Sequence, residues 1–312
     1  MNLSYSGAIF NFSVSEGFLN ERKNIMKTLL HVNYFEGKGR LQEFLDLAVK
    51  AGYSGVELRW KYRYDDMTQA EYQNFMAAWK SAHPEMEIVY GGCVKYCRGA
   101  ADEVKADEAA YLEFLNWAAK ETGTKVMNFF TGDIQPEGVV WTDYAHNGSG
   151  AAEEGDYERS AAGLKVVGAE AEKLGILIAL ETHNAYLHDL VAPCRKLLDM
   201  TGCDAVGLNY DQGNIIINPN TDPIPKVFET VGDKIYYAHL KNMLIISKTD
   251  NRAYCGCRLS DGHINTTEVM RRLKECLRSG MFAVEFPNTG DGIYAAFKDM
   301  EYIKFIRDYL QI

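Results

Sequence analysis

Four side chains able to ligate a metal, Glu181, Asp211, His239 and Glu285, each stand at or near the end of a short apolar run. The runs read ILIALETH (176 to 183), AVGLNYDQGN (205 to 214), KIYYAHLKN (234 to 242) and MFAVEF (281 to 286). Two glutamates, one aspartate and one imidazole make an O,O,O,N donor set, which suits a hard or borderline divalent ion better than a thiophilic one. Mn²⁺ is the best match, with Mg²⁺, Co²⁺ and Zn²⁺ as alternatives. One polar residue at the end of an apolar run means little. Four at corresponding ends of successive runs are hard to obtain by chance, so a single ion bound by all four is the expectation.

Runs of this kind are what a strand buried on both faces looks like, and the carboxyl ends of such strands are where α/β proteins keep their chemistry. Eight of them can be read along the chain, near 28 to 34, 54 to 60, 87 to 93, 124 to 131, 176 to 182, 206 to 211, 235 to 240 and 281 to 286. Between them lie stretches with apolar residues at three- and four-residue spacing, such as 41 to 52, 69 to 82, 108 to 123, 158 to 175 and 266 to 280. That spacing predicts amphipathic helices. Gly52, Gly123 and Gly175 end three of them, where a helix C-cap wants a left-handed residue. Strict alternation of strand and helix predicts parallel strands with right-handed crossovers, and eight strands close a TIM (β/α)8 barrel of the α/β class. Residues 26 to 312 are expected to form it as a single domain, with 1 to 25 as an N-terminal arm.

Composition sets bounds on function. With 47% hydrophobic and 24% charged residues the chain has the balance of a soluble globular protein, and no run of about 18 apolar residues offers a membrane span. A net charge of -10 repels phosphate backbones, which argues against a nucleic-acid partner. Seven scattered cysteines are odd in number and lack the spacing of a zinc site or a disulfide framework, which points to a reducing cytoplasm. The expected partner is a small molecule, with self-association left open.

Two connections are longer than turns, 132 to 157 after the fourth strand and 243 to 262 after the seventh. Long segments on the chemical face of a barrel commonly cover a ligand. Trp141, Tyr144 and His146 in the first could stack on a substrate or anchor the loop to the rim. His183 lies two positions after Glu181, and Lys241 two after His239, so each shares its neighbour's side of the strand. Both, with Asn214, are candidates to bind substrate; a hydrogen bond to a ligating carboxylate and a salt bridge at the barrel mouth are the structural alternatives for His183 and Lys241. Glu57 and Arg59 share one face of the second strand and read as a buried structural pair.

The segments LETH (180 to 183), GLNYDQGN (207 to 214), AHLKN (238 to 242), DGHINTTEVMRRLKE (261 to 275) and AVEF (283 to 286) resemble the sugar phosphate isomerase/epimerase superfamily with its xylose isomerase-like TIM barrel. The resemblance is good in the C-terminal half and a matter of pattern in the N-terminal half. It implies that Glu181, Asp211, His239 and Glu285 bind one divalent ion and that Glu181 and Glu285 act as catalytic acid and base on a sugar or keto sugar. Such an enzyme is an isomerase or epimerase that abstracts a proton beside a carbonyl, the ion stabilising the enediolate charge that develops. Ketose 3-epimerases of this type also carry a glutamate shortly after the first metal glutamate and an arginine shortly after the metal histidine. The stretches NAYLHDL (184 to 190) and KNMLIIS (241 to 247) have neither. A dehydratase or lyase of keto sugars, like inosose dehydratases or C-glycoside-cleaving subunits, is therefore the alternative within the superfamily. An endonuclease of the endonuclease-IV type would need more histidines at strand ends, and a non-catalytic sugar-binding or assembly module would have no need of both glutamates.

Overall fold

Each of the eight apolar runs forms a strand, because residues that bury side chains on both faces leave their backbone groups only the neighbouring strands to bond to. In chain order the elements begin with β1 (Lys27–His31), α1 (Leu41–Ala51), β2 (Gly55–Arg59), α2 (Gln69–Ala82), β3 (Glu87–Cys93), α3 (Ala101–Trp117), β4 (Val126–Phe130), α4 (Glu154–Leu174) and β5 (Leu177–Glu181). They continue with α5 (Val191–Thr201), β6 (Val206–Asp211), α6 (Gln212–Ile216), α7 (Ile224–Val231), β7 (Ile235–Leu240), a hairpin of β8 (Asn242–Ile245) and β9 (Tyr254–Cys257), α8 (Thr266–Cys276), β10 (Met281–Val284) and α9 (Gly292–Leu310). The eight parallel strands close in the order β1-β10-β7-β6-β5-β4-β3-β2, a single TIM barrel. This computed structural model describes residues 26–35, 40–247, 253–285 and 290–312. The arm expected over 1 to 25, Phe286 and the centre of the second long segment lie outside them.

The barrel interior explains why the polar residues meet. Leu29, Val89, Val126, Ala179, Tyr237 and Ala283 belong to one buried apolar cluster inside the ring. Two positions further along the same strands stand His31, Gly91, Asn128, Glu181, His239 and Glu285. A strand returns to the same face every second residue, so each apolar layer residue is followed by one polar or open position nearer the carboxyl mouth. Asp211 reaches that layer on β6, where its N–H donates to Thr182 Oγ1 at 2.9 Å.

The helices follow the expected pattern and extend beyond it. Thr68 accepts from the Glu71 N–H while Glu71 bonds back to Thr68, a reciprocal cap that starts α2. Gly52, Gly123 and Gly175 take φ of 83°, 63° and 68°, the left-handed cap that a side chain resists. α3 and α4 begin earlier than apolar spacing alone predicts, at Ala101 and Glu154, because their first turns carry acidic residues that add nothing to an apolar pattern. Among the described residues no helix is long and apolar enough to cross a membrane, and all seven cysteines are free thiols.

Of the two long connections, the first docks on the loop after β5. Ile134 N–H donates to the Ala185 carbonyl at 2.5 Å, and Ser149 N–H donates to Asp189 at 3.0 Å. The second is not an irregular loop: β8 and β9 pair antiparallel, with Asn242 opposite Cys257 and Ile245 opposite Tyr254. Its return is tied to the rim, where Leu259 N–H donates to Asp299 and the Asn242 amide donates to the Leu259 and Ile264 carbonyls. Four-residue strands are too short to show a period in sequence, which is why the hairpin reads as loop.

Close packing of β6 on β7 sets a test. A methyl group at Gly207 would come within 2.4 Å of the Tyr236 ring, and that ring is fully buried with its hydroxyl bonded to the Asp204 carbonyl. Gly207→Ala should destabilise the barrel by about 1–3 kcal/mol, the usual cost of overpacking a rigid core. The midpoint of urea unfolding measures it, and an unchanged midpoint would refute the packing described here.

Candidate metal centre

Glu181, Asp211, His239 and Glu285 converge at the carboxyl mouth, offering ligand atoms that all lie within 4.8 Å of one another. His239 Nδ1 stands 3.1 Å from Glu285 Oε2, 3.5 Å from Glu181 Oε2 and 3.6 Å from Asp211 Oδ2. The other imidazole nitrogen, Nε2, lies 2.7 Å from Glu57 Oε2. A carboxylate only accepts, so Nε2 carries the proton and Nδ1 of a neutral ring presents its lone pair to three carboxylate oxygens. Acceptors facing acceptors in a buried site repel unless a cation lies between them.

The donor chemistry therefore fits a divalent ion. His239 Nδ1 and Glu285 Oε2 are buried and make no hydrogen bond, which is what atoms reserved for coordination look like. In the absence of an ion a second proton on the ring does the same work. Burial opposes charge on His239, yet Glu57 and Glu181 outweigh it and raise its pKa well above the ordinary value. Burial likewise pushes Glu181 and Glu285 up, but His239 draws Glu181 down, and Lys241 and His31 draw Glu285 well below the carboxylate range.

Glu57 is the hub beneath the ligands. It accepts from His239, from the Tyr237 hydroxyl at 2.9 Å and from Asn128 Nδ2 at 3.0 Å. His31 Nε2 lies 3.6 Å away; its Nδ1 accepts from the Asn33 N–H at 3.1 Å, so Nε2 is the protonated nitrogen. His31, Glu57 and His239 lie close enough together to hold an ion of their own. Both ring nitrogens that face Glu57 carry protons, so these three are a polar support, with His239 hydrogen-bonded to Glu57 and His31 in looser contact. The expected partner of Glu57 on its own strand, Arg59, instead donates to Asn33 Oδ1 at 2.9 Å and lines the cleft above.

Three neutral amides fix the carboxylates. Asn214 Nδ2 donates to Glu181 Oε1 and Asp211 Oδ2, each at 3.0 Å, and Asn128 donates to Glu181 Oε2 at 2.7 Å. Asn33 donates to Glu285 Oε1. Lys241 Nζ bridges Asp211 Oδ2 at 2.9 Å and Glu285 Oε1 at 3.0 Å; burial disfavours its charge, but those carboxylates raise its pKa, so it stays an ammonium.

Above this floor lies a cleft of about 330 Å³ lined by residues of β1 to β5, by Glu285 and by Trp60, Lys61 and Arg63 after β2. His183 lines it, with its Nδ1 donating to the Asn184 carbonyl at 3.0 Å rather than to Glu181. Asn214, Lys241 and Trp141, also expected to bind substrate, do not line it: the first two are engaged with ligating carboxylates, and Trp141 meets only the edge of the His183 ring at 5.6 Å. Tyr144 is buried, and His146 is exposed beside Asp143. Neither long connection contributes to the lining. Sequence reading passed over His31, Asn33, Asn128 and Tyr237, although three of them share the strand parity of the ligands.

Because Glu57 fixes the ring of His239, Glu57→Gln should lower divalent-ion affinity by about ten- to a hundredfold, the usual effect of losing a carboxylate that supports a ligating histidine. Competition against a chromophoric chelator reads this. The raised pKa of His239 also means that ion and proton compete, so affinity should fall as pH falls. Unaltered affinity in Glu57→Gln would remove Glu57 from the centre.

Comparison with known proteins agrees with the fold. The family described as xylose isomerase-like TIM barrel matches residues 45–306. An inosose dehydratase of Lacticaseibacillus casei is 24% identical over 211 residues, 65% of this chain and 63% of the relative; the chain thus spans about 62–63% of the length of the curated relatives it matches. A xylose isomerase-like TIM barrel protein from Mycobacterium smegmatis, solved in complex with magnesium, superposes with a TM-score of 0.72 at 16% identity, covering 94% of this chain and 100% of that one. An L-ribulose 3-epimerase superposes with a TM-score of 0.67 at 15% identity, covering 91% and 95%. At such identity the likeness in structure speaks for the fold. The family match, however, runs from the first barrel helix into the last, and the chain belongs to the xylose isomerase-like TIM barrel family.

Proposed function

We propose that the chain is a divalent-metal-dependent enzyme that moves a proton on the carbon beside a sugar carbonyl, as an isomerase or epimerase of keto sugars. One asymmetry carries this reading. Asp211 and His239 are fully buried, whereas Glu181 and Glu285 are the two members of the ligand set that line the cleft, 3% and 6% exposed. Strands β5 and β10 stand three places apart in the eight-strand ring, so the two glutamates approach a bound molecule from different sides. A cleft near 330 Å³ is at the small end of ligand sites and suits a monosaccharide.

The four side chains would hold Mn²⁺ or Mg²⁺, which polarises a carbonyl and its neighbouring hydroxyl and so lowers the cost of removing the proton between them. Glu285 is suited to take that proton. Lys241 and Asn33 bond its Oε1 and keep it ionised, and it borders the cleft. Glu181, fixed by amides, borders the cleft from another side and is positioned to pass on a proton taken up from solvent.

A second reading is dehydration of a keto sugar, favoured by His183 in the cleft wall and by the inosose dehydratase relatives. There a carboxylate removes the proton beside the carbonyl, the C–O bond of the next carbon breaks, and a proton delivered along the His183 side of the cleft joins the departing hydroxide to release water. The free thiols suit a reducing, cytoplasmic setting for either reaction.

Glu285→Gln should keep the fold and lower turnover by about a hundredfold or more, the scale of lost general acid–base catalysis. In D₂O with Mn²⁺, mass spectrometry of keto-sugar substrates should show uptake of one deuterium at the carbon beside the carbonyl. Retention of every other atom identifies the isomerase or epimerase, and loss of one water identifies the dehydratase. Conversion without solvent exchange would overturn both, pointing to hydride transfer between carbons.

A further inference from the structure

The last helix has two faces that differ in what covers them. α9 turns Ala295, Ala296, Asp299, Met300, Ile303 and Ile306 onto the barrel, where they are buried. Its other side leaves Tyr294, Phe297, Phe305 and Tyr309 at 52%, 39%, 62% and 66% exposure, with Val49 of the neighbouring α1 at 41%. An aromatic side chain offers about 200 Å², so these four put roughly 400 Å² of surface on one helix, within the range of the largest patch on a monomer, which is often functional.

The charges on that side are arranged for a particular partner. Tyr294, Lys298, Glu301, Phe305 and Asp308 follow one another at spacings of four, three, four and three, the spacing with which one helix packs along another. Turned end for end about a point midway between Glu301 and Phe305, the row maps onto a copy of itself. Lys298 then faces the partner's Asp308, and Glu301 faces the partner's Phe305. Lys298 also bonds Glu301 of its own helix at 2.7 Å, so each acid of the row has an ammonium beside it. A parallel pairing would instead set like charges face to face. The outward charges Lys298, Glu301, Lys304 and Asp308 cancel, so this strip is free of the net charge of -10 that sets two chains against each other on average.

We infer that a second copy of this chain docks on this face, the two α9 helices packing antiparallel about a two-fold axis near residue 303. A two-fold contact uses one patch twice, so a self-complementary row is what it requires. The four aromatic side chains supply about half of the roughly 800 Å² that a stable interface buries on each side. The stems of the four charged residues, Val49, and Tyr302, whose ring lies parallel to that of Phe305 at 6.4 Å, adjoin them to supply the rest. Among the described residues none of α9 lines the cleft, so the contact stands apart from the reading of the substrate.

Sedimentation equilibrium of the full chain over a range of concentrations should give the mass of two chains at the upper end. Phe305→Glu, at an exposed position near the axis, should weaken the dimer by about thirtyfold or more, the scale of a central aromatic anchor. Lys298→Glu and Asp308→Lys should each weaken it severalfold, because both copies of the pair turn from attraction to repulsion. The two together should restore it, since each glutamate then faces a lysine of the partner. That restored variant also guards against a fold defect in either single one. A single-chain mass at the highest soluble concentration, a dimer that withstands Phe305→Glu, or a double variant no tighter than its parents overturns the proposal.

Discussion

The hydrogen bond from His239 Nε2 to Glu57 is the contact on which the rest of the centre depends. It decides which nitrogen faces the carboxylates, and it does so from β2, a strand that carries none of the four. Were the ring to take the other tautomer, Nδ1–H would donate to the carboxylates and satisfy them without an ion. Glu57 has its own support in Tyr237 and Asn128. Asn128 also holds Glu181, so the hub beneath the histidine and the glutamate at the cleft cannot move independently.

Neutral amides hold the acidic ligands for an electrostatic reason. An arginine at the place of Asn33, Asn128 or Asn214 would neutralise a carboxylate that the ion requires, whereas an amide donates a hydrogen bond and adds no net charge. Lys241 is the exception, and it serves both Asp211 and Glu285 from outside the set of coordinating atoms. Its place depends on Gly213, where a Cβ would lie 2.7 Å from Lys241 Cγ.

Much of this was legible in the chain, and the reason is periodicity. Eight buried runs gave the barrel, and the shared position of Glu181, Asp211, His239 and Glu285 at the ends of four of them told that these side chains would converge. The supporting residues were harder to see because their roles depend on contacts across the ring: nothing local to VELRW shows that Glu57 will meet a histidine some 182 residues away. Asn214 and Lys241 were placed at the right end of the barrel, but sequence cannot say whether a polar side chain turns to the cleft or to a neighbouring carboxylate. The cleft wall after β2 was missed for a related reason. WKYR carries no strand period, and its closeness to Glu285 follows only from closure of β1 between β2 and β10.

That closure divides the barrel into two kinds of work. Strands β5, β6, β7 and β10 supply every member of the four-residue ligand set, and the resemblance visible in sequence lies almost wholly there. The cleft wall comes mainly from β1 to β4 and the segment after β2, where the chain follows the family only as a pattern. A donor set for one ion tolerates little change, because an altered ligand alters charge, geometry and the balance of the buried site together. A wall that recognises the remainder of a substrate meets no such demand beyond shape and sign of charge. The half of the ring that resembles its relatives is thus the half that would hold the ion, and the wall built from the other half is free to differ with the molecule bound.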